Sequence, residues 1–286
     1  MTRAVPAVVH LVARNLRSTS RTPLVIAVSL FQPLVWLALF SQSLRRMVDY
    51  PDFARLGYES YMAYFVPGIV ALTVLSTSVR SGVAMVTDIN TGMLDKFLIS
   101  PINRSSILLG RVFADAITMA VQCVTVLLIA VAFGLRSRTG LGGLLLVLAL
   151  GLWLGLCAAA FSNFVALRTR NPQLTMMVGV NSTLPLMFLS PAFFPTALQP
   201  GWLQAAAKVN PVAYAVTAGQ DALNTGIDGG HLLAAAGVLA LTLALCLTGA
   251  TRAFQRVTSG ALGRDPRRRP AAPESSKAPK PPAMTR

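Results

Sequence analysis

Charged residues are scarce in this sequence, and acidic residues are the scarcest. Only 12% of the 286 residues are charged, and 10 Asp and Glu stand against 25 Lys and Arg, which gives a formal net charge of +15. A soluble globular domain is about one-quarter charged, so this class is excluded. A soluble nucleic-acid-binding protein would not combine such basicity with 54% hydrophobic residues and a mean hydropathy of +0.60. The composition predicts an integral membrane protein with basic loops and no nucleic-acid partner.

Residue types that carry chemistry are also few. Cys123, Cys157 and Cys246 lie far apart in apolar runs, and neither His10 nor His231 has an evident carboxylate partner. We therefore expect no disulfide framework and no metal site. The GxxxxGK[ST], GxSxG and HExxH motifs are absent. The sequence predicts a non-enzymatic chain that binds no cofactor of its own, so ATP-driven work would need a separate polypeptide.

Long apolar runs dominate the rest of the sequence. A helix needs about 20 mostly apolar residues to cross a bilayer. Six runs meet this requirement, at about 24–44, 61–86, 106–134, 141–167, 173–194 and 229–250. The first run follows an arginine-rich segment and is full length, so we expect no cleavable signal peptide. We predict an all-α integral membrane protein with six transmembrane helices in one domain, residues 24–251.

The two ends of the chain have a different composition. Residues 1–23 place valines on one helical face and basic residues on the other, which predicts an amphipathic helix on the cytoplasmic membrane surface, in contact with lipid headgroups. Residues 252–286 are basic and rich in proline, which predicts a disordered cytoplasmic tail. This tail is either a lipid-attracted topology anchor or a segment that docks a protein.

The distribution of basic residues predicts the orientation. If both termini lie in the cytoplasm, most Lys and Arg also lie on the cytoplasmic side, although Arg136 and Arg138 do not. The positive-inside rule therefore favours a multi-pass protein of the cytoplasmic (inner) membrane with cytoplasmic N- and C-termini.

Two polar stripes run along the second and third spans. Their principal members are Thr73, Thr77, Arg80, Asp115 and Gln122. Polar and ionisable groups inside a membrane are costly, which makes these side chains candidates for lining a translocation path. In the alternative interpretation, Arg80 extends to the cytoplasmic interface and Asp115 only pairs with Arg111.

Small residues recur at every fourth position of the fourth span. Gly151, Gly155 and Ala159 have the spacing that lets helix backbones approach closely, within a chain or between chains. Asn163 follows on the same spacing and can donate a hydrogen bond across that contact.

A segment rich in proline and aromatic residues follows the fifth span. We predict short interrupted helices there, with Trp202 at headgroup level and with Pro200, Asn210 and Pro211 marking helix boundaries. Asn210 is a good N-cap and Pro211 suits the first turn. This segment before the last span is either a re-entrant outer gate or a surface hairpin.

The stretch from Asp88 to Asp115 resembles the signature of ABC-2-type permeases, the membrane subunits of ATP-binding-cassette exporters. It is especially similar to the daunorubicin/doxorubicin-resistance branch. The matching residues are Asp88, Gly92, Asp95, Lys96, Phe97, Pro101 to Arg104, Gly110 and Arg111. The later Pro200, Trp202, Asn210 and Pro211 are in register with a second family pattern. One departure is Gln220, which stands where the family commonly has Arg.

The resemblance implies that a short helix after the second span docks into a cytosolic ABC ATPase subunit. The docking residues would be Asp88, Gly92, Leu94, Asp95, Lys96, Phe97, Pro101 and Arg104. ATP and magnesium would bind to that partner, and a second permease copy or a related permease would complete a dimer.

The expected function is export of a lipophilic drug-like or lipid substrate. Two alternatives remain open at this point, an ATP-independent secondary transporter or channel and a membrane-embedded enzyme.

Overall fold

All regular structure in the described part of the chain is helical. The computed structural model describes residues 31–39, 42, 61–91, 104–195 and 199–262, with side chains over 31–39, 42, 61–91, 113–195 and 199–254. Residues 31–39 form a helical stretch. The other helices in these ranges are α1 (Tyr61–Asn90), α2 (Arg104–Ala132), α3 (Leu141–Thr169), α4 (Pro172–Phe188), α5 (Gly201–Ala207), α6 (Pro211–Asn224) and α7 (Gly229–Leu262).

Four helices of the described residues are long and apolar enough to cross a membrane. They are Tyr61–Asn90, Phe113–Ala132, Leu141–Thr169 and Gly229–Phe254. They coincide with the second, third, fourth and sixth predicted spans, and they confirm the prediction of an all-α membrane protein. The first predicted span, 24–44, is described only at 31–39 and 42, which are helical.

The fifth predicted span, 173–194, ends earlier than expected. Helix α4 has 17 residues and stops at Phe188, after which Ser190–Phe194 form a turn. Pro191 explains this end, because a proline disfavours the helical conformation of the residue before it. Hydropathy alone had extended the helix through an apolar segment that the backbone cannot continue as a helix.

Two other boundaries also differ from the sequence expectations. Helix α7 continues to Leu262, so residues 252–262 of the expected disordered tail are helical. Prolines begin only at Pro266, and this earlier segment lacks them. Helix α1 extends to Asn90 and therefore includes Asp88. The predicted helix 1–23 and tail residues 263–286 lie outside the described residues.

Helix α1 lies at the centre of the bundle and packs most extensively against α3. Tyr64, Phe65 and Ile69 of α1 are fully buried, and so is Met119 of α2. A helix that is apolar on all sides is expected in such an interior position. The outer helices instead expose large apolar side chains, such as Leu128 of α2 and Leu241 of α7, which suits contact with lipid chains.

The small residues of α3 lie against α1 within the same chain. A Cβ on Gly151 would lie 2.5 Å from Cγ1 of Val70, and one on Gly155 would lie 3.0 Å from Cβ of Val74, both on α1. Ala159 is fully buried. These positions therefore leave no room for larger side chains where the two helices meet.

The bundle has two ends, which we name by their residues. The loop end holds residues 133–140, 189–195, 199–210 and 225–228, and the arginine end holds Arg168, Arg170 and Arg252. At the loop end, the Arg138 amide donates to Leu223 O over 2.9 Å. At the arginine end, α1, α3 and α7 pack together in a small cluster that includes Val86, Leu167 and Phe254.

Candidate translocation groove

A cavity of about 570 Å³ lies between the 31–39 stretch, α1 and α4. We call it the groove. Its walls are mainly apolar side chains, including Leu72 and Val83 of α1 and Val180 and Leu184 of α4. Its polar lining residues are Gln32, Ser76, Arg80, Thr87, Asp88 and Thr183. A volume of this size and an apolar wall with a few polar groups are typical of sites for small organic molecules.

Arg80 places a positive charge in the groove. Its side chain is exposed in the single chain, and its charge lies near enough to Asp115 for the two to attract each other. Ser76 and Thr87 lie on the same face of α1, four residues before and seven residues after Arg80. These two hydroxyls were missed in the sequence reasoning, although helical spacing from Arg80 would have found them.

The other predicted path residues on α1 and α2 do not face the groove. Thr73 and Thr77 are buried, and Gln122 is 1% exposed. The Thr73 hydroxyl donates to Ile69 O over 2.8 Å, and the Thr77 hydroxyl donates to Gln122 Oε1 over 2.5 Å. The predicted stripe is therefore divided: Arg80 lines the groove, and Thr77 with Gln122 joins α1 to α2.

Asp115 belongs to a polar network across three helices. Ser81 Oγ of α1 donates to the Asp115 carboxylate of α2, and Asn163 Nδ2 of α3 donates to Ser81 Oγ over 3.3 Å. Asn163 Oδ1 is buried and has no hydrogen-bond partner among the described residues. This network lies beside Arg80, so the positive charge in the groove is close to the polar contacts that join α1, α2 and α3.

Asn210 joins the start of α6 to the end of α4. Its Oδ1 accepts a hydrogen bond from Val212 N over 3.0 Å, and Pro211 occupies the first turn of α6, as the sequence predicts. Its Nδ2 donates to Leu186 O over 2.6 Å and to Leu189 O over 3.1 Å. Asn210 therefore satisfies carbonyls at the end of one helix while it caps the next.

The predicted outer gate segment divides into a buried turn and an exposed helix. In the turn, Phe193 O accepts from Tyr61 OH over 3.0 Å, and Pro191 O accepts from Tyr64 OH. Non-helical backbone inside a membrane has to be shielded by protein, as it is here. Pro200 precedes α5, on which Trp202 is 68% exposed.

Gln220 is a neutral buried link in the same region. Its Nε2 donates to Pro191 O over 2.9 Å and to Tyr64 O over 3.1 Å, and the residue is 1% exposed. Gln220 stands where the family commonly has Arg. It therefore donates two hydrogen bonds to backbone carbonyls but carries no charge.

His231 has a carboxylate partner, which corrects the expectation from the sequence. Its Nδ1 lies 2.6 Å from Asp221 Oδ2, at the turn between α6 and α7. Burial raises the pKa of the Asp221 carboxyl, and the hydrogen bond from His231 opposes that shift. The pair lies at the loop end, away from the groove. It was missed because the turn brings together residues of two different helices.

The predicted docking segment lies mostly outside the described residues. Asp88 is in the last turns of α1, and Arg104 is the first residue of α2. Gly92, Leu94, Asp95, Lys96, Phe97 and Pro101 fall between them and are not described. The segment therefore connects two helix ends that both lie at the arginine end.

A family model described as ABC-2 type transporter matches residues 6–223. The chain belongs to this family. The match confirms the resemblance seen in the sequence and, together with the apolar helices, makes this ABC-2 chain a multi-pass membrane protein.

Named relatives of the ABC-2 chain include drug-resistance permeases. The daunorubicin resistance ABC transporter permease protein DrrB1 of Streptomyces coeruleorubidus is 26% identical over 170 residues, 58% of this chain and 59% of that protein. A protein of Mycobacterium tuberculosis, named "Probable doxorubicin resistance ABC transporter permease protein DrrC", is 29% identical over 162 residues, 56% of this chain and 58% of that protein. The chain thus aligns with somewhat under two thirds of each of these relatives.

Proposed function

We propose that this chain is the membrane-spanning permease subunit of an ATP-binding-cassette exporter, with a separate cytosolic subunit that hydrolyses ATP. The observation that carries this proposal is the ABC-2 type transporter match over residues 6–223. The proposed topology has six spans with both termini in the cytoplasm, which puts the arginine end on the cytoplasmic side of the inner membrane. The chain itself has no catalytic role.

The groove supports a lipophilic drug-like or lipid cargo. Its walls are mostly apolar, so a charged polymer would lose hydration there without compensation. Helix α4 also exposes Met176, Met177 and Leu184 beside the groove. In our proposal a second permease copy covers this face, and the cargo passes between the two copies.

Helix α1 connects the docking segment for the ATPase subunit to the groove for the cargo. It runs through the core from Asp88, beside the docking segment, to Tyr61 and Tyr64 at the loop end. Arg80 lies eight residues before Asp88, about 12 Å along the helix. A displacement of the docking segment by the ATPase subunit would therefore move the groove wall directly, because a buried helix moves as a unit.

Replacing Phe97 with alanine and Asp95 with asparagine should remove the contact with the ATPase subunit. An aromatic anchor at the centre of a protein interface commonly contributes about 2 kcal/mol or more. We expect about a tenfold loss of ATPase subunit recovered with the affinity-tagged permease, and a matching loss of export from intact cells.

Phe133→Ala is the matched control for the aromatic side chain. Phe133 is 64% exposed and lies at the loop end, away from the docking segment. Recovery and export that survive the Phe97 and Asp95 changes would show the docking assignment to be wrong. Export by the purified permease without an ATPase subunit would instead support the secondary transporter or channel.

A further inference from the structure

Three arginines converge on one cavity at the arginine end. The cavity has a volume of about 440 Å³ and lies between α3 and α7, separate from the groove. Arg168 lies in the last turn of α3, Arg170 is the residue that follows this helix, and Arg252 comes from α7. The floor between them is apolar, with Phe164, Leu167, Gly249 and Ala253. A basic rim above an apolar floor is typical of a site that binds an amphiphilic anion.

Local structure holds two of these arginines in place. The Arg168 guanidinium carbon lies 6.0 Å from the centre of the Phe164 ring, within reach of a cation–π interaction. Arg170 has φ 49° and ψ 21°, a left-handed conformation that costs a residue with a side chain about 1 kcal/mol. The next residue, Asn171, caps α4, so the connection is too short to relax. The fold thus keeps an arginine at a strained position.

The positive charges of the cavity are not balanced by the described part of the chain. The ion pairs recorded there join His231 to Asp221 and Asp228 at the opposite end of the bundle. None of the three arginines forms an ion pair with a described acidic residue. Like charges around one cavity repel each other and attract an anion from the surroundings.

We propose that this cavity binds the phosphate headgroup of an anionic membrane lipid. The guanidinium groups would hold the phosphate, since their planar fork matches its oxygens. The start of the acyl chains would lie on the Phe164 and Gly249 floor. Leu245 and Leu241 of α7, 63% and 62% exposed, continue this path because they lie seven and eleven residues before Arg252 on the same helix face.

A lipid fits this cavity better than a soluble anion. Free phosphate would use the arginine rim but gain nothing from the apolar floor, whereas a glycerophospholipid uses both. Basic pockets between membrane helices are known recognition elements for anionic headgroups. The proposal depends on the membrane location of the chain and not on its ATPase subunit or its cargo.

The contribution of the three arginines to lipid binding is tested with the full-length protein in detergent. Native mass spectrometry measures the binding of added phosphatidylglycerol or phosphatidylcholine. The variant R168Q/R170Q/R252Q should bind phosphatidylglycerol about tenfold more weakly than the unmodified chain. R136Q/R138Q/K208Q removes the same charge from the loop end and should bind as before. R168K/R170K/R252K should retain most of the binding. The proposal would be overturned if the two glutamine variants lost phosphatidylglycerol binding equally. It would also be overturned if the unmodified chain bound phosphatidylcholine as tightly as phosphatidylglycerol.

The cavity itself is tested by a variant that keeps all three arginines. A Cβ on Gly249 would lie 3.4 Å from the Phe164 ring, an ordinary contact, so Gly249→Leu should fold and extend into the cavity. Gly237 lies on the same helix with open space around it, which makes Gly237→Leu the matched control. We expect lipid binding to fall about tenfold in the first and to stay unchanged in the second. Unchanged binding in Gly249→Leu would overturn the proposal.

Two further readouts identify the ligand. Millimolar inorganic phosphate should leave the bound phosphatidylglycerol in place; its displacement would show a site for a soluble anion instead. Loss of ATPase subunit recovery in R168Q/R170Q/R252Q, with lipid binding unchanged, would show a protein contact and would also contradict the proposal.

Discussion

Replacing Gly82 with leucine should strongly destabilise the folded protein. A Cβ at this position would lie 2.2 Å from Ser162 Oγ and 2.7 Å from Ser162 O. The oxygen of the side chain could rotate away, but the carbonyl oxygen belongs to the backbone of α3. The two central helices would have to separate, with a cost of about 3 kcal/mol or more. Since whole domains are stable by about 5–15 kcal/mol, we expect a lower yield of monodisperse protein after detergent extraction and a lower melting temperature.

Gly237→Leu is the control for Gly82→Leu, because no described atom outside the adjacent backbone of α7 lies within 4 Å of its added Cβ. Leucine has a higher helix propensity than glycine, so the control should be as stable as the unmodified chain or slightly more stable. Equal stability of the two variants would mean that α1 and α3 are not in close contact at Gly82.

The membrane helices could be predicted from the sequence because hydropathy is a local property. The run at 61–86 appears as α1, and the run at 141–167 appears as α3, with boundaries shifted by a few residues. The same signal fails where an apolar segment is not helical. Ser190–Phe193 are buried and apolar enough to extend the fifth run, yet Pro191 ends the helix and the turn is buried by contacts with α1.

The partners of the buried polar side chains could not be predicted, because they depend on which helix faces meet. Thr77 and Arg80 are close in sequence, but the first bonds Gln122 inside the bundle and the second lines the groove. Arg252 likewise carries no sequence signal that it lies beside Arg168 and Arg170. The Asn210–Pro211 cap was predictable, since an N-cap uses only its own helix, whereas the bonds from Asn210 to α4 were not.

Replacing Asn210 with alanine should destabilise the chain by about 3 kcal/mol. The N-cap bond to Val212 N contributes about 1 kcal/mol. The bonds from Nδ2 to Leu186 O and Leu189 O satisfy carbonyls at the end of α4, and leaving a buried carbonyl unpaired costs about 1–3 kcal/mol. Asn210 is 4% exposed, so water cannot readily replace these bonds. Reversible unfolding in a denaturing detergent would measure the loss.

Asn171 provides an unusually close control, because it is also an Asn before a Pro at a helix start. Its Oδ1 accepts from Gln173 N over 2.9 Å and from Leu174 N over 3.2 Å, and its side chain makes no further hydrogen bond among the described residues. Asn171→Ala should therefore cost only about 1 kcal/mol, the value of a cap. Asn210→Asp keeps the cap acceptor and removes the two donors, so it should resemble Asn210→Ala. A loss in Asn210→Ala no larger than in Asn171→Ala would show that Asn210 only caps α6 and does not hold α4 in place.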